Sequence, residues 1–311
     1  AFIGISKEFM IKWTAKGERR RIMNIKKQYK GIFYIILSAF CFSLMDMFVR
    51  MSGDLPSIQK SFFRNIVAAV LGCILVLKEK DSFQWKKGSG KYLILRSLFG
   101  TLGILCNFYA IDHLALADAS MLNKMSPFFV VIFSFLFLKE KVTAAQILLV
   151  MGAFGGSLFV VKPTVSNLDL IPSLIGLLGG LGAGAAYTMV RKLGTVGVKG
   201  PFIVFFFSTF SCVITLPWLI FDYHAMTLWQ VLVLLLAGLC AAGGQFAITA
   251  AYCYAPASEI SIYDYTKVIF SMILGFVMFQ QIPDFYSWVG YVIICLMAVL
   301  MFFYNKKRGA R

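Results

Sequence analysis

Polar and apolar residues fall along this chain in long blocks, not at the period of two that marks a strand. Ten apolar blocks, at approximately 31–49, 61–77, 92–111, 118–138, 144–161, 174–190, 201–221, 228–250, 257–279 and 286–304, are separated by short polar connections. Each is about 17–23 residues long, the length an α-helix needs to cross a hydrocarbon layer. The pattern predicts ten membrane-spanning helices. The longest connection, around 78–91, leaves no room between helices for a soluble domain.

Charge sets the expected orientation. Of the 30 Lys and Arg, 23 lie at 1–30, 78–91, 139–141, 191–199 and 305–311, which alternate with connections holding only Arg50, Lys60 and Lys162. Basic residues accumulate on the cytoplasmic side, so both termini are expected there, in a bacterial inner (cell) membrane. Residues 1–30 read as a basic arm lying along anionic lipid, with Ala1–Ile22 either an extension or a start-site artefact ahead of Met23. They are not expected to be a signal peptide, because the apolar run that follows is too long and no small-residue cleavage site closes it. Residues 305–311 form a basic tail.

Displacing the chain by 141 positions lays segments 1–5 over segments 6–10. Arg50 then meets Arg191, Gly103 meets Gly244, Ala110 meets Ala251 and Phe135 meets Phe276. Asp118-x-Ser120 meets Glu259-x-Ser261, a match that carries more weight than apolar identities. Five helices is an odd number, so the second copy enters the membrane from the opposite side. The expectation is an all-α integral membrane protein of ten transmembrane helices in two inverted five-helix repeats, 31–162 and 174–304. Inverted repeats build two alternative openings around one midplane site.

Composition agrees and excludes other classes. Hydrophobic residues make up 59% of the 311 and charged residues 14%, with a mean hydropathy of +0.80. Soluble domains carry roughly 25% charge. The net charge of +16 comes from clusters between apolar runs, so no nucleic-acid partner is expected. Seven cysteines without a C-x-x-C read as apolar fillers. His113 and His224 stand in connections without metal-ligand spacing, and no Ser-His-Asp order or nucleotide loop occurs. Neither an enzyme, a metal nor a cofactor is expected. The glycines of segment 6, with Gly180 and Gly184 four apart, serve close helix packing.

Candidate chemistry lies in the charged and polar residues inside apolar segments, where charge is costly and faces an interior or a wet cavity. Lys124 stands about six residues, or roughly 9 Å, into segment 4. It is either a cationic contact for a solute carboxylate or phosphate, or an outward-reaching side chain paired with Asp118 or Asp46. Segment 9 carries Glu259, Asp264, Tyr265 and Lys267; Asp264 and Lys267, three apart, are placed to neutralise each other. Arg64 and Arg96 are expected to reach out to the interfaces. Asn107 and Gln245 are buried amides, placed for interhelical hydrogen bonds. Tyr187, Tyr252 and Tyr265 are suited to line a cavity, since their hydroxyls need partners. The candidate solute-contacting set is Lys124, Asn123, Asn107, Tyr187, Tyr265, Asp264 and Lys267. Glu259 and Asp118, acids at equivalent ends of segments 9 and 4, are either proton-coupling groups or first-turn acids that stabilise a helix start.

The stretch from Asn107 to Lys141, with L-A-L-A-D-A-S, S-P-F-F and a Phe-rich run into L-K-E-K, resembles the fourth-helix region of EamA-type transporters of the drug/metabolite transporter superfamily. The likeness extends from about Gly31 to Tyr304. It implies transport of a small polar organic or drug-like solute, with helices 1, 3, 4, 6, 8 and 9 around the cavity. The family often has a proline in the second half where Val268 stands here, opposite Pro127, so segment 9 is expected to be the less distorted of the two. No ATP-driving module is present between the segments, so energy would come from a gradient or exchange. The solute and the lipid bilayer are the expected partners, a homodimer stays open, and a passive channel or facilitative pore is the alternative.

Overall fold

The computed structural model describes residues 2–78, 88–113, 122–161, 170–280 and 284–310. Among these the chain forms α-helices and one 3-10 helix and no strand. In order they are α1 (Phe2–Met51), α2 (Ser57–Lys78), α3 (Gly90–His113), α4 (Ser126–Leu138), α5 (Ala144–Val161) and α6 (Leu170–Val196). Then come α7 (Gly200–Phe221), α8 (Leu228–Tyr254), α9 (Ala257–Ile260), the 3-10 helix Ser261–Tyr265, α10 (Thr266–Phe279) and α11 (Phe285–Ala310). Among the described residues, seven stretches are long and apolar enough to cross a membrane: Lys27–Met51, Ser57–Lys78, Leu170–Val196, Gly200–Phe221, Leu228–Tyr254, Ala257–Phe279 and Phe285–Arg308. Ser126–Leu138 and Ala144–Phe159 are apolar but shorter.

The outer surface is apolar, as lipid contact requires. Phe33, Phe137, Phe221 and Phe303 are among many large side chains turned outward, Phe221 being 90% exposed. Water would not tolerate so much contiguous apolar surface on a monomer. The core instead collects small and branched residues, such as Ile35, Ala39, Val130, Ala241 and Ile248.

Helices pair as α1 with α8, α3 with α6, α2 with α7, and α5 with α11. Missing side chains set the closest approaches. A Cβ on Gly103 of α3 would stand 3.0 Å from the Ala183 nitrogen of α6, and one on Gly182 would stand 3.0 Å from the Phe99 carbonyl oxygen. Helices driven together by van der Waals contact use such residues where backbones cross.

Two helices are broken in their interiors. Leu122 and Asn123 are helical, Lys124 and Met125 form a turn, and α4 restarts at Ser126-Pro127. Proline fits a helix start because its missing N–H would have no intrahelical acceptor there. The second break is the 3-10 helix between α9 and α10. Segment 9, which has no proline at Val268, is tightened by this 3-10 ladder yet stays helical over Ala257–Phe279, whereas segment 4 unwinds at Lys124-Met125. Buried Tyr265 closes this 3-10 helix, and its hydroxyl donates to the Lys124 carbonyl at 2.9 Å and anchors one break to the other.

Those two residues are 141 positions apart. The only non-glycine residues with left-handed φ among those described, Lys139 and Gln280, both at 54°, are separated by the same interval and end α4 and α10. Side-chain caps at the starts of α5 and α11 repeat it too, with Thr143 and Gln146 at one and Asp284 and Ser287 at the other.

Candidate functional site

The two breaks place charged and phenolic side chains in one region inside the bundle. Lys124, half-buried at the first break, interacts electrostatically with Asp264 at the second, and with Lys267 and Asp46. Lys267 does not neutralise Asp264, as their spacing suggested. It reaches across to α1 and pairs with Asp46 at 2.7 Å. The tertiary crossing of α1 and α10 offers a carboxylate at ion-pair distance, and the Ser43 hydroxyl donates to the Lys267 carbonyl at 3.0 Å beside it.

Tyr187 of α6 and Tyr252 of α8 stack with ring centroids 5.3 Å apart. Tyr187 interacts electrostatically with Asp264, Arg96 and Arg64, so the tyrosine pair joins the breaks to α2 and α3. Gln245 and Thr249 continue the Tyr252 face of α8 at helical spacing. Both are buried, and neither the Gln245 Nε2 nor the Thr249 hydroxyl has a hydrogen-bond partner among the described residues. The Gln245 Nε2 therefore makes no interhelical bond to a described residue, where such a bond was expected of this amide.

Arg96 is the larger correction. It does not reach an interface: it is 2% exposed, lies over the Phe207 ring at 4.0 Å, and its Nε has no hydrogen-bond partner among the described residues. Arg64 is half-buried, with its guanidinium 5.8 Å from the Phe42 ring. Among the described residues the region thus holds four cations, Arg64, Arg96, Lys124 and Lys267, against two carboxylates, Asp46 and Asp264. Sequence reading left Arg64, Arg96 and Asp46 out of the site. The available signal was weak: Arg96 stands inside an apolar block with no acid at helical spacing from it.

The remaining candidates lie apart or are silent. The first break passes over α6 at glycine: a Cβ on Gly180 would meet the Leu122 carbonyl oxygen at 2.6 Å and the Asn123 carbonyl oxygen at 3.6 Å. Asn107 crosses α6 at Gly179, where a Cβ would stand 3.1 Å from its backbone nitrogen. Glu259 belongs to another cluster, at one end of the bundle, where it interacts with Arg308, Glu140 and Arg191. There the Arg191 Nε donates to Glu140 at 2.8 Å, and the Ala257 amide donates to the other Glu140 oxygen at 3.2 Å. That cluster ties the end of α4 to α6 and to the start of α9. Asp118 lies outside the described residues. No group of three or more metal-ligating side chains occurs among those described, and the seven cysteines are free thiols.

Apolar helices facing lipid around a charged, phenol-lined interior define a multi-pass integral membrane protein with a polar site between its helices. The chain belongs to the EamA-like transporter family, whose model matches residues 29–162 and again 170–303. Among its relatives are the pseudopaline exporter CntI of Pseudomonas aeruginosa, 30% identical over 87% of this chain and 95% of the relative. A riboflavin transporter of Brucella anthropi is 27% identical over 77% of this chain and 86% of its own. Human solute carrier family 35 member G1 is 27% identical over 86% of this chain and 77% of its own. One solved crystal structure superimposes with a TM-score of 0.78 at 13% identity, over 90% of this chain and 99% of that one, and so shares the fold. The family and these relatives are transporters, not enzymes.

Proposed function

We propose that this chain is a secondary transporter that carries a small polar organic solute across the membrane by alternating access. In this reading ten transmembrane helices form two inverted halves, 31–162 and 174–304, and both termini lie in the cytoplasm of a bacterial cell. The observation that carries it is the contact of the two helix breaks. Lys124 and Tyr265 sit one repeat interval apart and touch, with Asp264 and the Asp46–Lys267 pair beside them. Broken helices meeting between inverted repeats are how transporters expose backbone and charge to a solute near the midplane. Charge inside a membrane protein faces such a path, since an isolated Lys or Arg at the helix centre costs about 2.5–3.5 kcal/mol on insertion scales.

Lys124, Asn123, Asn107, Tyr187, Tyr265, Asp264 and Lys267 are the solute-contacting residues of this proposal. Glu259 and Asp118 are its coupling groups. The relatives named for pseudopaline and riboflavin support an organic solute rather than an inorganic ion. Purified protein in liposomes should exchange internal labelled solute for external solute with saturation. Flux that rises linearly with concentration and shows no counterflow would instead make the protein a passive channel.

A further inference from the structure

Among the described residues, Arg96 is the one guanidinium of the interior cluster that is both fully enclosed and has an Nε without a hydrogen-bond partner. It is 2% exposed on α3, its Nε is unpartnered, and its guanidinium rests on the Phe207 ring of α7. Among the described residues, the charged and titratable groups acting on it are Tyr187 and Arg64, a phenol and a second cation. Lys267, by contrast, has Asp46. Uncompensated buried charge is strongly destabilising, and a folded protein retains it where something else supplies the counter-charge. The chain also makes room for this side chain. Gly100, one turn along α3, has no Cβ, and a Cβ there would collide with the Arg96 Nη1 and come within 2.8 Å of the Phe207 ring. The same two helices carry buried hydroxyls without a partner among the described residues, Thr101 of α3 and Ser208 of α7.

We infer that Arg96 is the anchor for an acid group, carboxylate or phosphate, of the transported solute, with Tyr187 and Tyr252 stacked beside it. This rests on the transporter reading above and narrows its solute class to organic acids. A planar guanidinium suits such a group because it offers paired N–H donors in a fixed fork.

The test uses full-length protein purified in detergent, titrated with inorganic phosphate, succinate, 3-phosphoglycerate and uncharged succinamide while thermal unfolding is followed. At least one acid should raise the unfolding temperature of the wild type by several degrees, and succinamide should not. Arg96→Gln should weaken the response to that acid by about 30-fold or more, the loss expected when a charged partner is truncated. Arg96→Lys should keep part of it. Gly100→Ala keeps the charge but displaces the guanidinium, and should weaken the same response. Without ligand, Arg96→Gln should unfold at the wild-type temperature or above it, because an unpaired charge has been removed. A fall of several degrees there would make Arg96 a structural residue and overturn the inference. Equal acid stabilisation of wild type and Arg96→Gln, or no acid stabilising the wild type, would overturn it too. Liposome exchange separates this from failure of the transporter reading. Saturable exchange of uncharged solute that is undiminished in Arg96→Gln removes only the acid assignment, whereas absence of saturable exchange of any solute removes both.

Discussion

The Glu140–Arg191 pair gives the prediction with the clearest magnitude. Glu140 follows the left-handed residue that ends α4, and its two oxygens accept from the Arg191 Nε at 2.8 Å and the Ala257 amide at 3.2 Å. The side chains are 14% and 15% exposed. At 2.8 Å and an effective dielectric constant of about 20, the gross attraction is about 6 kcal/mol. Desolvation of both ions offsets much of that, and hydrogen bonds to charged groups contribute about 1.5–3 kcal/mol net. Carbonyls of Tyr252 and Cys253, at 3.4 and 3.3 Å from the Arg191 Nη1, are too long to replace the carboxylate. Glu140→Gln keeps an acceptor oxygen and removes the charge, so it should cost about 1–2 kcal/mol. Glu140→Ala also strands the Ala257 amide and should cost about 1 kcal/mol more. Equilibrium unfolding of the purified protein in mixed detergent micelles measures both. In a double-mutant cycle, Glu140→Gln with Arg191→Gln should show a coupling of about 1 kcal/mol or more. A coupling under about 0.5 kcal/mol, within ordinary additivity, would refute the argument. Because the pair ties α4, α6 and α9 at one end, its loss should, under the proposed alternating access, also favour the state open at that end, tenfold for each roughly 1.4 kcal/mol.

The other predictions concern the breaks and the membrane orientation. Lys124→Ala should lower transport by about tenfold or more while folded protein falls far less; normal transport would leave Lys124 as an anchor only. Tyr265→Phe removes the hydroxyl that holds the breaks together and should destabilise the protein by about 0.5–1.5 kcal/mol in the same unfolding assay, and no change would mean the contact is incidental. Glu259→Gln should abolish uptake driven by a pH gradient and leave exchange without a gradient intact; unchanged gradient-driven uptake would make Glu259 a helix-end acid. A cysteine at Ser166, outside the described residues, should be labelled from outside intact cells, and labelling only after permeabilisation would reverse the orientation.

How much of the site the sequence carried depends on the residue. Lys124, Asp264 and Tyr187 were legible as site candidates because a polar group inside a long apolar block is anomalous whatever the fold. Partners were not legible. Lys267 has an acid three residues away in sequence, yet pairs with Asp46 from another helix, and nothing local specifies which carboxylate comes closer. The 3-10 segment was missed for a similar reason: a break with no proline or glycine has no local mark, and here it accompanies a buried tyrosine anchored on a neighbouring backbone.

The sequence by itself determined the all-helical class, the membrane as solvent and the interval of the repeat. These follow from block length and order, because in lipid every backbone donor must be satisfied within its own helix and only long apolar runs are stable there. Tertiary structure alone decided which charges meet. Whether a basic residue inside an apolar block turns to the membrane surface or inward depends on the face its helix presents to its neighbours. Arg64 and Arg96 look alike in sequence, yet one lies half-buried by Phe42 and the other is enclosed against Phe207 where Gly100 leaves space.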